Sequence, residues 1–421
     1  MNHTPRFRTV LSCALLAMSL VAGATACGDG DSKRHPLSAK PSSSAAAAAK
    51  IVFSGPTGKT KADPNKPLEV TARTGDGRIT DVTAIDTKGH YLAGELAADG
   101  TRWHSTAALA AGTRYTVKVA TESKKGTSGV RTLSFDTRPA KKKLEVEFGP
   151  EAGEYGVGQP ITATLSEPVK SKAARDVVER ALKVRSTPSA EGGAWYWVDD
   201  TELHYRPKEY WPANSVITAT SNLDGVRVSN KLYGAATKPL KLEIGDRVEA
   251  IVDASSHYMT VLVNGEEINN IPITTGKPGF STRNGVKVVL GQEYYVQMRG
   301  TSVGIGGSEG YNLPVYYATR VTWSGEYVHA APWSVGSQGV ANVSHGCVGM
   351  STANAAWFFE TFRQGDLVEV INSAGDYMED FGNGFGDWNV DWEDWREGSV
   401  LQAGTREGSS PADYARLRPS I

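Results

Sequence analysis

Apolar and polar residues alternate in short runs along most of the chain. Leu68-Glu69-Val70-Thr71-Ala72, Tyr115-Thr116-Val117-Lys118-Val119, Leu144-Glu145-Val146-Glu147-Phe148, Ile161-Thr162-Ala163-Thr164-Leu165 and Val216-Ile217-Thr218-Ala219-Thr220 all place apolar side chains at every second position. This period turns one face of a strand to a core and the other to water. Breaks such as Thr74-Gly75-Asp76-Gly77 separate the runs, as turns between strands do. Residues 51–140, ending in Leu133-Ser134-Phe135, thus predict one β-sandwich. Residues 141–245 repeat the pattern, with a helical insert over 173–182 and a core aromatic cluster of Trp195, Trp197 and Trp211. Residues 246–372 change character. Strands are expected at 247–254 and 258–263, with Asn264-Gly265 as a two-residue hairpin turn, and a second hairpin beyond. A helix over 352–362 would put Ala355, Phe358, Phe359 and Phe362 on one face, before a strand at 366–370. Residues 373–421 form a C-terminal subdomain and tail. Its Trp388, Trp392 and Trp395, three to four apart, dock the tail onto the domain, and order is expected to weaken after Leu401.

The 421 residues leave room for about two to four domains. With 40% hydrophobic and 22% charged residues the chain can bury real cores. The sandwiches, of roughly 90 to 100 residues each, have immunoglobulin-like size. A net charge of −1 argues against a nucleic-acid partner. Arg6 and Arg8 followed by an apolar run over 10–21 read as an export signal, too short for a membrane span. Ala24-Thr25-Ala26-Cys27 resembles a bacterial lipobox, which makes residues 1–27 a lipoprotein signal and Cys27 the lipidated residue. Residues 28–50, rich in Ser, Ala and Lys with Pro36 and Pro41, read as a flexible tether. The expected location is extracytoplasmic, lipid-anchored to the outer face of the cell membrane and facing the wall. Of three cysteines, Cys13 is lost with the signal and Cys27 carries lipid, which leaves Cys347 as a lone thiol.

That thiol lies in the densest chemistry of the chain, Ser344-His345-Gly346-Cys347-Val348-Gly349, with His329 eighteen residues before the cysteine. A cysteine nucleophile needs an imidazole to take its proton and a third group to orient that imidazole. It also needs donors for the developing oxyanion, often backbone N–H groups on a glycine-bearing turn. Alternatives stay open on these residues alone: two histidines and a cysteine can ligate zinc, and a buried cysteine can be structural.

The region as a whole resembles the L,D-transpeptidase (YkuD-type) catalytic domain, whose signature is a His, a gap, then Ser/Thr-His-Gly-Cys. Thr274-Thr275-Gly276-Lys277-Pro278 with Thr282 and Gly285 resembles the family's upstream segment, with Asn284 where Pro is common. His329-Ala330-Ala331-Pro332-Trp333-Ser334-Val335-Gly336 and Gly386-Asp387-Trp388-Asn389 resemble the actinobacterial lipoprotein class with two N-terminal immunoglobulin-like domains. The expected fold is therefore mainly β: two immunoglobulin-like sandwiches, then a β-rich YkuD-type domain with a short helix and a C-terminal subdomain.

The resemblance implies Cys347 as nucleophile and His329 as base. The backbone carbonyl of Ala330, where Ser is usual, would orient the imidazole. The Tyr311 hydroxyl and backbone N–H groups around Gly346 and Cys347 would serve the oxyanion. Ser344 and His345 would shape the pocket, Met298 would act as a lid residue, and Trp333 would join them in binding substrate. The implied reaction joins peptidoglycan tetrapeptide stems, donor and acceptor, by 3→3 cross-links through a thioester, with release of D-Ala. No metal or organic cofactor is expected, and carbapenem β-lactams are expected inhibitors. Gly349 departs from the Asn common two residues after the cysteine. Two other readings stay open: an L,D-carboxypeptidase that passes the acyl group to water, and a non-catalytic wall-binding lipoprotein.

Overall fold

The computed structural model describes residues 49–53, 60–73 and 75–403. The signal, Cys27, most of the tether and the last eighteen residues lie outside the described residues. In the first sandwich, Ile51–Phe53, Glu69–Ala72, Arg102–Ser105 and Gly94–Leu96 form one sheet, and Arg78–Asp86, Arg114–Glu122 and Ser128–Asp136 the other. The alternating apolar residues Val70, Val117 and Val119 meet Trp103 and Phe135 in its core.

The second sandwich has two four-stranded sheets. Its helix, Lys172–Ala181, is capped by the Ser171 side chain, which accepts from the Ala174 N–H. Trp195, Trp197 and Trp211 are buried in the core, as their spacing predicts. The run 144–148, expected as one strand, is divided between two sheets. Lys142–Leu144 pairs in parallel with Leu232–Gly234, and Val146–Gly149 pairs antiparallel with Ile161–Leu165. Between them the Glu145 N–H turns to the Ser166 hydroxyl at 2.9 Å, so the chain crosses from one layer to the next without an unsatisfied donor.

The third unit packs two sheets on one core. One has the order Glu266–Pro272, Tyr258–Val263, Val248–Asp253, Leu367–Ile371, Gly285–Val288; the other has the order Gly291–Arg299, Asn312–Arg320, Tyr327–Ala330, Val348–Met350. Asn264 and Gly265 both adopt positive φ, 51° and 86°, as the two-residue turn requires. The expected second hairpin is Gly291–Arg299 with Asn312–Arg320. The helix runs Thr352–Thr361 and buries Ala355 and Phe358, while Phe359 is only half-buried.

The tryptophans of the C-terminal segment dock on the second sandwich. Trp388 Nε1 donates to the Gly158 carbonyl and Trp395 Nε1 to the Ala194 carbonyl, at 2.7 and 3.0 Å. The Arg206 guanidinium lies over the rings of Trp388, Trp392 and Trp395. Asp387 closes a buried pair with His204 at 2.7 Å. Burial alone would lower the His204 pKa, but Asp387 and Glu202 carry it up to about 10. The segment also holds the third unit, since Asn389 Oδ1 accepts from the Val286 N–H.

Candidate active site

Strands Tyr327–Ala330 and Val348–Met350 run parallel, with Val328 opposite Val348 and His329 opposite Gly349. One step back along the same ladder, Cys347 falls beside Tyr327. Side chains alternate across a sheet, so Cys347 and His329 share one face as diagonal neighbours. The position directly across from His329 carries no side chain. Both residues line one cavity of about 240 Å³, together with Met298, Tyr311, Trp333, Ser344, His345 and Gly349. Ala330 and Gly346, also expected at the site, are not part of this lining.

His329 is buried, and its Nδ1 lies 2.8 Å from the Ala330 carbonyl. A carbonyl can only accept, so Nδ1 carries the proton and Nε2 is the basic nitrogen. Burial holds the imidazole pKa below its usual value, against the Ala330 carbonyl. Burial likewise pushes the Cys347 thiol up to about 11, against the Tyr327 backbone N–H that hydrogen-bonds the sulfur. Cys347 Sγ donates to the Gly325 carbonyl at 3.6 Å. Burial thus disfavours the charged form of both groups.

Gly346 takes φ 119°, a backbone conformation closed to most side chains. Its N–H donates to Ser344 Oγ at 3.1 Å, and Ser344 Oγ–H donates to the Cys347 carbonyl at 2.6 Å. Without substrate, this amide, expected to serve an oxyanion, points into the motif's own turn. Ser344 thus braces the turn from within. Tyr311 stands at the cavity with its ring beside His345, 5.2 Å between centroids. Burial and the neighbouring Cys347 raise its pKa. Met298 and Leu313 come from the hairpin that covers the cavity, and Trp333 is 53% exposed at its rim.

Gly349 is locked to Thr274 by two backbone hydrogen bonds of 2.8 and 2.9 Å. A Cβ there would meet the Ala331 Cβ at 2.9 Å and the Thr274 Cγ2 at 3.1 Å. Its lack of a side chain matches a local packing in which Ala331 already occupies the space. Asn284 is likewise built in. Its side chain donates to the Ser373 and Gly375 carbonyls and accepts from the Ser373 N–H. Thr282 joins the upstream segment to the motif, accepting from the Gly276 N–H and donating to the Gly346 carbonyl.

The sequence reading missed two groups. Glu309, between the two strands of the covering hairpin, accepts from Lys277 Nζ at 2.6 Å and meets His345 Nε2 at 2.8 Å. Lys287 is fully buried and paired with Glu326 Oε2 at 2.7 Å, while Arg283 holds the other carboxylate oxygen. No local signal marks either, because an ion pair between residues 32 to 39 positions apart leaves no periodicity. Among the described residues no cluster of three or more His, Cys, Asp or Glu is placed to hold a metal ion.

Two family models match the chain: the L,D-transpeptidase catalytic domain over residues 247–370, and a bacterial Ig domain over 59–227. L,D-transpeptidase 2 of Mycobacterium tuberculosis (strain CDC 1551 / Oshkosh) is 33% identical over 404 residues, 94% of this chain and 96% of its own length. L,D-transpeptidase 5 of Mycobacterium tuberculosis (strain ATCC 25618 / H37Rv) is 31% identical, covering 80% of this chain and 74% of its own. A solved L,D-transpeptidase, LdtMt1 in complex with imipenem, aligns over 54% of this chain and 99% of its own, at 35% identity and a TM-score of 0.47.

Proposed function

The chain belongs to the L,D-transpeptidase family, acyltransferases that cross-link peptidoglycan, and from that premise we propose that Cys347 is the nucleophile of the transfer and His329 its base. The observation that carries the assignment is the shared cavity. Cys347, Tyr311 and His329, whose Nε2 is left basic by the Ala330 carbonyl, all line it.

The donor is a tetrapeptide stem. Its approach lets Nε2 take the thiol proton, and Sγ attacks the carbonyl carbon that joins the third residue to D-Ala. The oxyanion is met by the Tyr311 hydroxyl and the Cys347 N–H, since the Gly346 N–H is held by Ser344. His329 then returns the proton to the amine of D-Ala, which leaves, and a thioester remains. The side-chain amine of a second stem attacks that thioester and gives up a proton to His329, which passes it to the departing sulfur. The result is a 3→3 amide and a free thiol. Ser344 braces the nucleophile's turn, His345 holds Tyr311 by ring contact, and Met298 and Trp333 bound the substrate cleft. A carbapenem presents a strained carbonyl to the same sulfur and would be retained as an acyl adduct. The N-terminal pattern supports a lipid anchor at Cys27, with the enzyme on the outer face of the membrane.

Mass spectrometry of the protein with purified tetrapeptide-stem muropeptides tests this. The expected product is a dimer lighter than two monomers by one D-Ala, absent with Cys347→Ala. Loss of D-Ala without a dimer would replace transfer by hydrolysis. No thioester and no change in substrate mass would overturn the assignment.

A further inference from the structure

The hairpin that roofs the cavity has two unlike faces. Its inner face carries Val296, Met298, Leu313 and Val315, packed with Tyr327 and Cys347. Its outer face pairs Tyr295 with Tyr316 and Gln297 with Pro314. Tyr294, Tyr295 and Tyr316 are 60%, 48% and 42% exposed. These are large rings left in water, which a soluble surface seldom groups without use.

The rings are contiguous. Centroids lie 5.4 Å apart for Tyr295 and Tyr316, 5.7 Å for Tyr294 and Tyr316, and 5.1 Å for Tyr294 and Tyr317. Tyr317 takes φ 51° in mid-strand, a costly conformation for a bulky residue. The ladder register passes from the Glu293–Ala318 pair to the Tyr295–Tyr316 pair at this point. The kink turns Tyr317 against Phe359, 5.9 Å between centroids, and lets Tyr294 join rings that strict alternation would put on opposite faces. Beside the rings lies a row of amides. The Tyr295 hydroxyl donates to Gln297 Oε1, and Gln297 Nε2 donates to Asn312 Oδ1, each at 2.6 Å.

We propose that this outer face is a binding site for the glycan strand that carries the stem. The proposal rests on the peptidoglycan reading above and names a second part of the same substrate. The carbonyl under attack follows the third residue of the stem, and three extended residues span at most about 10 Å. The sugar is therefore tethered close to whatever surface borders the cavity, and this hairpin is its roof. The chemistry fits amino-sugar rings. Tyrosine offers an apolar face for the C–H side of a pyranose and a hydroxyl at its edge, while Gln297 and Asn312 match hydroxyl and acetamido groups. Between the Tyr295–Tyr316 pair and Asn312 the outer face carries Gln297 and Pro314, with Glu293 and Arg299 at its two ends.

The test reads binding alone, in the full chain carrying Cys347→Ala, so it does not depend on turnover. The probe is insoluble glycan strands stripped of their stems, with soluble N-acetylglucosamine hexamer as competitor. The expected result is cosedimentation that the hexamer competes away, weakened about tenfold or more by Tyr295→Ala with Tyr316→Ala. Tyr295→Phe with Tyr316→Phe keeps the rings and should retain binding. Tyr295→Leu with Tyr316→Leu keeps apolar bulk, guards against a folding loss, and should not bind. No cosedimentation of the parent chain, equal binding by the alanine or leucine pair, or a tyrosine-dependent dimer in place of glycan binding would each overturn the proposal. Failure of transpeptidation with binding intact would strike the mechanism and not this site.

Discussion

Lys287→Met tests how the buried charge pair behind the nucleophile acts. The Lys287 side chain is 1% exposed and that of Glu326 10%, with 2.7 Å between them. Methionine nearly matches lysine in length but leaves the Glu326 carboxylate buried with Arg283 Nη1, at 3.3 Å, as its remaining cation among the described residues. Breaking a buried pair from one side costs about 3–5 kcal/mol. The remaining Arg283 contact puts the expected loss near the lower end, about 3 kcal/mol. The pair joins strand Gly285–Val288 to the residue just before Tyr327–Ala330, so the loss should appear there. Hydrogen exchange read by mass spectrometry measures it. Amides of these two strands should exchange about a hundredfold faster, at 1.36 kcal/mol per tenfold. Lys287→Met with Glu326→Leu removes both charges and should recover most of the protection, because an apolar pair fills such a site about as well as an ionic one. Equal losses in the single and double variants, with no coupling between the positions, would refute the reasoning. So would normal protection in Lys287→Met.

Four further outcomes follow from the same geometry. Burial pushes the Cys347 thiol up to about 11, so its alkylation by iodoacetamide should keep rising from pH 6 to pH 10; a plateau near pH 7 would show a resting ion pair with His329. Burial raises the Asp366 carboxyl to about 7 from 3.8 in the ordinary case. A raised carboxyl favours the fold below its unfolded pKa and weakens it as pH climbs through about 7, so Asp366→Asn should raise the thermal midpoint at pH 8 and change it little at pH 4. The full linkage is at most about 4 kcal/mol. Gly349→Asn should destabilise by about 1–3 kcal/mol through its clash with Ala331, and Ala331→Gly should relieve it in a thermal melt. Glu309→Gln should leave stability nearly unchanged, because exposed pairs contribute little. It should raise KM for stem substrates by freeing the covering segment from Lys277 and His345.

By itself the sequence determined the strand-rich architecture. Alternation at residues 161–165 and 216–220, the Asn264-Gly265 turn and the helix near 352–361 are local signals, set by side-chain period and backbone preference within a few residues. It also singled out Cys347 and His329 as candidate chemistry, through a motif dense enough to stand out, and Tyr311 through the family resemblance. What local pattern could not carry was decided by long-range pairing. The split of 144–148 between two layers depends on partners at 232–234 and 161–165. The meeting of Cys347 with His329 depends on a parallel register, and the use of the Gly346 amide on the Ser344 rotamer. Three tryptophans at helical spacing announced docking, yet their surface, the second sandwich, was set by Arg206 and the Gly158 and Ala194 carbonyls nearly two hundred or more positions away. Nothing local in the sequence distinguishes Lys287 and Glu326 from other charged residues. Only a core closed on all sides makes them a buried pair, because burial belongs to the packed chain and not to any segment of it.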